Sequence, residues 1–490
     1  MVSFNLIPSS TRVPFVYVEI DPSKAQQGPT ILDYRAAIIG QKLPSTPVAE
    51  NDPFLATSAD EVGAAFGMGS MIHAMAIAWF AVNKQTETWF IGVEDAGGGT
   101  DATYTLTVSG PATAAGTVYL YVAGRRIAVG VSSGDSATAI AAAIDAAIQA
   151  SDDYPFLPVT SGVASNVVTL TAKNAGTQGN YIDVRLNYQT GEFLPAGAGV
   201  VIAPGVAGAT DPALTGAITA LAGQQYHILA VGLNDATSHD AIRDELVARY
   251  DPSVQEEGHA FFAVTDTFAN LVTYGSARNS EHTTVLGLEG PLSPPWELAA
   301  STAAIAARYG QNDPARPFKY LELAGMVGPA LVDRFTLAER ETLLKNGIST
   351  AIVQAGGNLV TERLITTFQT NASGAKSTAF LDLTTKLTLM YLRFDFRTSF
   401  ATTFPRHKLA DDGTRFGPGQ PVMTPKIGRA FAITRFRGWE ELGLVEGAEQ
   451  FMRDLIVERN TQDPNRLDFL LPPDLINQLQ VAGASIQFLL

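Results

Sequence analysis

The chain contains no cysteine among its 490 residues and only four tryptophans. Without cysteine it can form neither a disulfide nor a thiolate metal site, which fits a reducing compartment. Basic residues are also scarce, because 33 Lys and Arg stand against 48 Asp and Glu. The resulting net charge of −15 argues against nucleic acid as a partner.

Long apolar runs are missing as well. The longest apolar stretch, Met68 to Val82, is shorter than the ~20 residues that a membrane span needs. The first residues show neither the basic nor the apolar region of a signal peptide. We therefore expect a soluble protein that is made in the cytoplasm and does not insert into membranes.

The length of the chain predicts about three domains, since one hydrophobic core does not organise so many residues. Strand and helix patterns alternate over residues 26–95 and again over 200–382, with strands such as Thr283 to Leu288, and predict one discontinuous α/β domain. The composition changes at Ala96-Gly97-Gly98-Gly99, so residues 96–199 are predicted to form an inserted β-rich domain. Residues 383–480 are predicted to form a C-terminal domain with helices at 384–400 and 443–458. The fold class expected is α+β / α/β multidomain, with mixed-sheet core domains.

Both ends of the chain have the pattern of exposed strands. Residues 1–25 are broken by prolines and contain an extended segment with Val13, Phe15 and Tyr17. Residues 481–490 end on an apolar strand pattern with Ile486, Phe488 and Leu490. Uncovered strands of this kind aggregate unless another strand pairs with them. We expect the two arms to pair with other chains, including other copies of this one.

The helix predicted at 384–400 carries a basic stripe. Lys386, Arg393 and Arg397 are spaced by seven and four residues, which places them on one helix face. Because the rest of the chain is acidic, this stripe is a candidate docking surface for an acidic partner. Acidic pairs such as Glu256-Glu257 are interpreted as solvated loop charges.

One short motif is compatible with catalysis. Gly130-Val131-Ser132-Ser133-Gly134 matches the nucleophile elbow of serine hydrolases and lies between a predicted strand and a predicted helix. A turn followed by a helix cap explains the same residues. The six histidines show no metal-binding spacing, and no cofactor motif is present, so we assign no catalytic, cofactor-binding or metal site.

Several longer motifs resemble the sheath proteins of Mu-like contractile phage tails. They are Phe4-Asn5-Leu6-Ile7-Pro8-Ser9, Tyr17-Val18-Glu19-Ile20-Asp21, Tyr391-Leu392-Arg393, Phe404-Pro405-Arg406-His407-Lys408-Leu409, Asn465-Arg466-Leu467, Leu471-Pro472-Pro473-Asp474-Leu475 and Ile486-Gln487-Phe488. The resemblance spans both ends and much of the middle of the chain.

This resemblance implies a structural subunit of the virion, assembled in the host bacterial cytoplasm. Its partners would be itself, as hexameric rings stacked into a helical sheath, together with the tail tube protein and the baseplate and tail terminator proteins. The terminal arms would exchange strands between subunits, and the sheath would contract to drive the tube through the host envelope for genome delivery.

The resemblance also implies roles for three parts of the chain. Residues 383–480 would form the inner sheath domain, Lys386, Arg393 and Arg397 would face the tube, and residues 96–199 would form an outer surface domain. Two alternatives stay open, a serine hydrolase using Ser132 and a surface adhesin that binds through the 96–199 domain.

Overall fold

The computed structural model describes residues 32–489, so Val13, Phe15, Tyr17 and Leu490 lie outside the described residues. The first described segment alternates strands and helices, as the sequence predicts. Its elements are β1 (Arg35–Gln41), β2 (Pro53–Ala56), α1 (Ala59–Phe66), α2 (Met71–Val82) and β3 (Glu87–Val93). Ser58 and Ser70 cap α1 and α2 by accepting hydrogen bonds from backbone amides three residues on.

A β-rich unit follows β3. Its elements are β4 (Thr103–Ser109), β5 (Gly116–Val122), β6 (Arg125–Val131), α3 (Ala137–Ala150), β7 (Val159–Ala164), β8 (Val167–Ala172), β9 (Val184–Leu186) and β10 (Gly199–Pro204). The strands form two sheets, in the orders β10-β4-β8-β7 and β6-β5-β9. Helix α3 buries Ile140, Ile144 and Ile148, one apolar residue per turn. Since β10 pairs with β4, the unit continues past the predicted limit at residue 199.

The chain then returns to the first sheet. The elements are α4 (Thr215–Leu221), β11 (Ile228–Val231), α5 (Ala236–Tyr250), β12 (His259–Thr265), α6 (Phe268–Ser276), β13 (Thr283–Leu288), α7 (Pro295–Asn312), α8 (Leu337–Lys345), β14 (Thr350–Val353) and β15 (Leu359–Arg363). The six-stranded sheet has the order β13-β12-β11-β1-β3-β2, and it is parallel except for the β2–β3 pair. The predicted mixed α/β sheet is therefore confirmed. Helix α7 packs against α2 and this sheet through a buried alanine-rich face.

The last segment is a smaller unit. It comprises α9 (Leu383–Thr403), β16 (Lys408–Leu409), β17 (Val422–Met423), α10 (Pro425–Glu441), β18 (Val445–Glu446), α11 (Ala448–Asp454), β19 (Ile456–Arg459), β20 (Leu467–Leu470) and β21 (Asp474–Leu475). The single helix predicted at 443–458 is wrong. Gly447 adopts φ +77°, a left-handed conformation, and this breaks the segment into β18, the short helix α11 and β19. Helix α10 was not predicted, although Thr424 and Pro425 are typical of a helix start.

The chain ends in an extended tail. Residues 476–489 belong to no helix or strand, and Ile486 and Phe488 are 90% and 76% exposed. Within one chain the predicted terminal strand is therefore not formed over its described residues. No helix between residues 32 and 489 has the length and apolar character needed to cross a bilayer.

Candidate assembly site

Helix α9 joins two hydrophobic cores. Leu387 and Met390 belong to the large core around the six-stranded sheet, whereas Leu392 belongs to a smaller core with Phe436 and Trp439 of α10. The helix is apolar on more than one side because it is covered by both units. It therefore fixes the orientation of the C-terminal unit relative to the central sheet.

The predicted exposed basic stripe on α9 is wrong for Lys386. Its side chain is only 2% exposed, its ammonium nitrogen lies 3.4 Å from Glu257 Oε2, and it lies 4.0 Å from the ring centroid of Tyr250. Burial lowers the pKa of Lys386, and the carboxylate of Glu257 partly offsets that effect. Lys386 therefore holds the helix to its own chain and presents no charge to a partner.

Arg393 and Arg397 lie on the same face and also have partners within the chain. Arg393 Nη1 donates to the carbonyl oxygen of Tyr250 at 3.0 Å and lies 3.7 Å from Glu257. Arg397 Nη1 donates to the side-chain oxygen of Gln255 at 2.8 Å. Both side chains keep part of their surface in solvent. Arg393 and Arg397 therefore hold α9 against the segment that connects α5 to β12.

The interpretation of Glu257 as a solvated loop charge is wrong. Glu257 is buried and serves both Lys386 and Arg393, while its neighbour Glu256 is half-buried and lies 3.6 Å from Arg249. Nothing local in the sequence distinguishes the two residues, because the partners of Glu257 lie more than 120 residues away.

Neutral histidines surround this ion pair. His259 Nε2 lies 2.8 Å from Thr284 Oγ1, and the ring of His282 packs edge-on against Tyr250 with centroids 5.0 Å apart. Burial, followed by the positive charge of Lys386, lowers the pKa of His282 to about 3 and that of His259 well below its usual range. Because both histidines are neutral near pH 7, they add no positive charge beside the Lys386–Glu257 ion pair.

A buried carboxylate connects α9 to α10 on the other side. Asp395 is fully buried and accepts hydrogen bonds from Arg435 Nε at 3.0 Å, Arg435 Nη2 at 2.6 Å and Trp439 Nε1 at 2.7 Å. Charge-assisted, two-pronged contacts of this kind also fix geometry. α9 is consequently pinned on both sides by buried polar contacts.

A two-stranded hairpin rests on α10. Strands β19 and β20 pair from Ile456↔Leu470 to Arg459↔Leu467, and no third strand joins them among residues 32–489. A Cβ on Gly428 of α10 would come within 3.0 to 3.2 Å of side chains on both strands. The hairpin therefore packs closely against Gly428 of α10. The outer edges of β19 and β20 pair with no other strand within residues 32–489. An isolated two-stranded hairpin is marginally stable, and open edges are templates for added strands.

An apolar groove of about 850 Å³ lies between α9 and this hairpin. Its apolar walls include Phe396, Phe400, Phe404, Met423, Phe469 and Leu471, and its rim carries Arg393, Arg397, His407 and Lys408. Phe469 contacts the rings of Phe396 and Phe400 edge to face, with centroids 5.4 and 5.6 Å apart. Such a site suits an extended segment with apolar anchors and acidic flanks.

The first described residue lies close to this groove. Leu32 lines a small cavity together with Gln255, Arg393 and Arg397, three residues that also line the groove. At the other end, Lys319 Nζ donates to the carbonyl oxygen of Gln480 at 3.3 Å. Leu32 therefore lies beside the groove, whereas Gln480 is hydrogen-bonded to the segment that follows α7.

The hydrolase motif has no catalytic surroundings in the part of the chain that is described. Ser132 lies in the turn between β6 and α3, its backbone N–H donates to Asp135, and Ser136 caps the helix. No histidine hydrogen-bonds to Ser132, and no group of three His, Asp or Glu side chains is arranged to hold a metal over residues 32–489. The geometry matches a turn with a helix cap.

Comparison with known proteins identifies the family. The model of the phage tail sheath protein central domain matches residues 207–367, and that of the phage tail sheath C-terminal domain matches residues 375–488. The tail sheath protein of the Mu-like prophage FluMu of Haemophilus influenzae is 36% identical over 489 residues, covering 100% of both chains.

One solved structure agrees at the level of fold. A chain in the cryo-EM structure of the anti-feeding prophage baseplate aligns with a TM-score of 0.50 at 11% identity, covering 98% of this chain and 100% of that one. The sheath tail protein of Desulfitobacterium hafniense aligns with a TM-score of 0.48 at 12% identity, covering 94% and 100%. On the full-length identity to the FluMu protein and the two matched domains, the chain belongs to the phage tail sheath family and is a structural subunit of a Mu-like contractile tail sheath.

Proposed function

We propose that subunits of this chain polymerise by exchanging their terminal arms, and that the β19–β20 hairpin is the acceptor. The observation that carries the proposal is the hairpin with two open edges above an apolar groove. Main-chain pairing at such edges gives affinity, and alternate side chains give specificity.

The arms have the composition that these edges require. The segment with Val13, Phe15 and Tyr17 alternates and continues into Glu19 and Asp21, whose carboxylates complement the basic rim of the groove. Ile486 and Phe488 are exposed in the single chain, so their pairing would remove apolar surface from water. Burying one such side chain contributes about 1.5–3 kcal/mol.

An arm that pairs with a neighbour makes a head-to-tail contact, and such contacts propagate as rings or open helices. We propose stacked hexameric rings around a tail tube, bounded by baseplate and tail terminator proteins, assembled in the host bacterial cytoplasm. During contraction each subunit would move as a rigid body, because α9 is pinned by Lys386–Glu257 and Asp395–Arg435. The arms would then serve as hinges. The role is structural, without enzymatic activity.

We propose that exposed basic residues in the loop region after α9, rather than the predicted stripe on α9, contact the tail tube. Arg406 and Arg415, which do not line the groove, are exposed and form no ion pair within residues 32–489. Exposed ion pairs contribute only about 0–1 kcal/mol each, so contacts made by this loop would break readily when the sheath contracts.

Truncation at Ala484 tests the exchange. We expect the full-length chain to form striated tubes by negative-stain microscopy, and the truncated chain to remain soluble and folded without forming them. A matched control replaces the alternate residues Ser485 and Gln487 with alanine, which leaves Ile486, Phe488 and Leu490 in place. Tubes formed by the truncated chain would refute the proposed role of the C-terminal arm.

A further inference from the structure

The inserted β-rich unit meets the central sheet at a small buried cavity. The cavity is lined by residues of both units, including Gln41 at the end of β1, Gln178 in the turn after β8, and Trp296 at the start of α7. It lies at the carboxyl end of the parallel strands, where α/β sheets commonly bind ligands. The space open to a water-sized sphere is about 10 Å³, close to the volume that one water molecule requires.

Three polar atoms of these side chains have no hydrogen-bond partner. They are Gln41 Oε1, Gln178 Oε1 and Trp296 Nε1, on side chains that are 2% exposed or less. An unpaired buried polar atom costs roughly 1–3 kcal/mol of desolvation, so native proteins rarely leave three around one cavity.

The hydrogen-bond network fixes which atom of each amide is free. Gln41 Nε2 donates to Asp95 Oδ1 at 2.7 Å and to the carbonyl oxygen of Ala175 at 2.6 Å, so the amide cannot be reversed. Asn234 Nδ2 donates to the carbonyl oxygen of Ala263, which leaves its oxygen to accept from Gln178 Nε2 at 3.0 Å. The residues that line the cavity therefore leave two acceptors, from the glutamines, and one donor, from the indole, without partners.

We propose that this cavity binds one structural water molecule that bridges the two units. A water donates two hydrogen bonds and accepts others, so it can donate to both glutamine oxygens and accept from the indole N–H. A cation would meet the indole N–H, which is donor-only, and an apolar occupant would satisfy none of the three atoms. The water would thus connect Gln178 of the inserted unit to Gln41 and Trp296 of the central unit and form part of the folded structure.

High-resolution crystallography or cryo-EM of the full-length chain tests this directly. We expect one ordered solvent peak within hydrogen-bonding distance of Gln41 Oε1, Gln178 Oε1 and Trp296 Nε1. Absence of the peak, or direct hydrogen bonds among the three side chains, would overturn the proposal.

A pair of tryptophan variants provides a test in solution. Trp79 is also fully buried with an unpartnered Nε1, but it does not line this cavity. Trp296→Phe and Trp79→Phe delete the same atoms, and Trp296→Phe alone should also lose a water contact. We expect the folded-to-unfolded ratio of Trp296→Phe to be about five-fold below that of Trp79→Phe in urea titrations. Equal losses in the two variants would contradict the bridging water.

Discussion

The ammonium nitrogen of Lys386 lies 3.4 Å from a carboxylate oxygen of Glu257, and neither side chain is more than 6% exposed. This contact joins the helix of the C-terminal unit to the loop after α5. Helix α9 therefore connects two parts of the same subunit, although its sequence predicts a docking surface. Under the rigid-body movement that we propose, this contact would hold the two units together while the arms act as hinges.

Glu257→Gln should destabilise the subunit strongly. The change removes the carboxylate that Lys386 and Arg393 share and leaves a buried ammonium group without its counter-charge. We expect a loss of about 3–5 kcal/mol, measured as a lower urea midpoint.

The adjacent Glu256 is the matched control for that variant. It is half-buried and lies 3.6 Å from Arg249, so Glu256→Gln should cost no more than about 1 kcal/mol. Similar urea midpoints for the two variants would show that the Lys386–Glu257 contact does not hold α9 against the loop after α5.

Stability should decline as the pH falls below about 6.5. Burial is the leading cause that lowers the pKa of His73 and His227 to about 4 and of His239 and His282 to about 3, and His259 shifts in the same direction. Groups with a depressed folded-state pKa stabilise fully above the unfolded pKa of about 6.5, and that contribution is lost toward the folded value. Each histidine can cost up to about 1.4 kcal/mol per pH unit in this window.

Three carboxyls act in the opposite direction, because burial raises the pKa of Asp95, Asp183 and Glu297. Burial raises the pKa of Glu297 to about 7, so its contribution is largest below its unfolded pKa and is lost as the pH rises to 7. It therefore offsets one histidine between about pH 4.5 and 6.5. Urea midpoints at pH 7.5 and 5.0 measure the net effect, which should favour pH 7.5.

A variant of His239 tests whether the buried histidines cause the loss of stability at low pH. The ring of His239 packs 4.6 Å from the centroid of Phe262, and neither ring nitrogen has a hydrogen-bond partner. His239→Phe should reduce the pH dependence, whereas replacement of the exposed His407 with glutamine should not. An unchanged slope in His239→Phe would contradict the histidine origin of the acid sensitivity.

Gly428→Leu should block assembly without unfolding the central sheet. A side chain at this position would push on Leu467, Phe469 and Val457 and lift the hairpin from α10. Tubes should be absent by electron microscopy, while circular dichroism stays close to that of the parent chain.

Gly438, on the same helix, has open space around a Cβ. Gly438→Leu should therefore assemble normally, which separates hairpin displacement from a general effect on α10. Normal tubes from Gly428→Leu would show that the seating of the hairpin is not required.

Local patterns predicted much of the fold and less of the site. The run from Thr283 to Leu288 is an observed strand with the predicted bounds, because a fully buried strand is a continuous apolar or Thr-rich run. The turn and helix cap that the sequence analysis offers for the Ser132 motif are also observed, with Ser136 as the cap of α3. The sequence could not show that Lys386 is buried, since spacing identifies a helix face but not the segment that covers it, here 129 residues away.

Other errors have physical causes of the same kind. The helix predicted at 443–458 failed at Gly447, whose left-handed backbone competes with helix continuation. The predicted terminal strand is not formed over residues 485–489 of the single chain, and under the proposed exchange its partner edge would come from a neighbouring subunit.

Intermolecular cross-linking is the most direct test of arm exchange, and the absence of native cysteine makes it free of background. One variant carries Phe488→Cys, and its partners carry Leu470→Cys or Ile456→Cys on the hairpin, or Leu331→Cys on an exposed site elsewhere. A disulfide requires Cα atoms within about 7 Å, a distance that paired strands provide. In mixtures that form sheaths, we predict heterodimers of Phe488→Cys with a hairpin variant and few with Leu331→Cys. Equal cross-linking to Leu331→Cys, or none to the hairpin, would contradict the account.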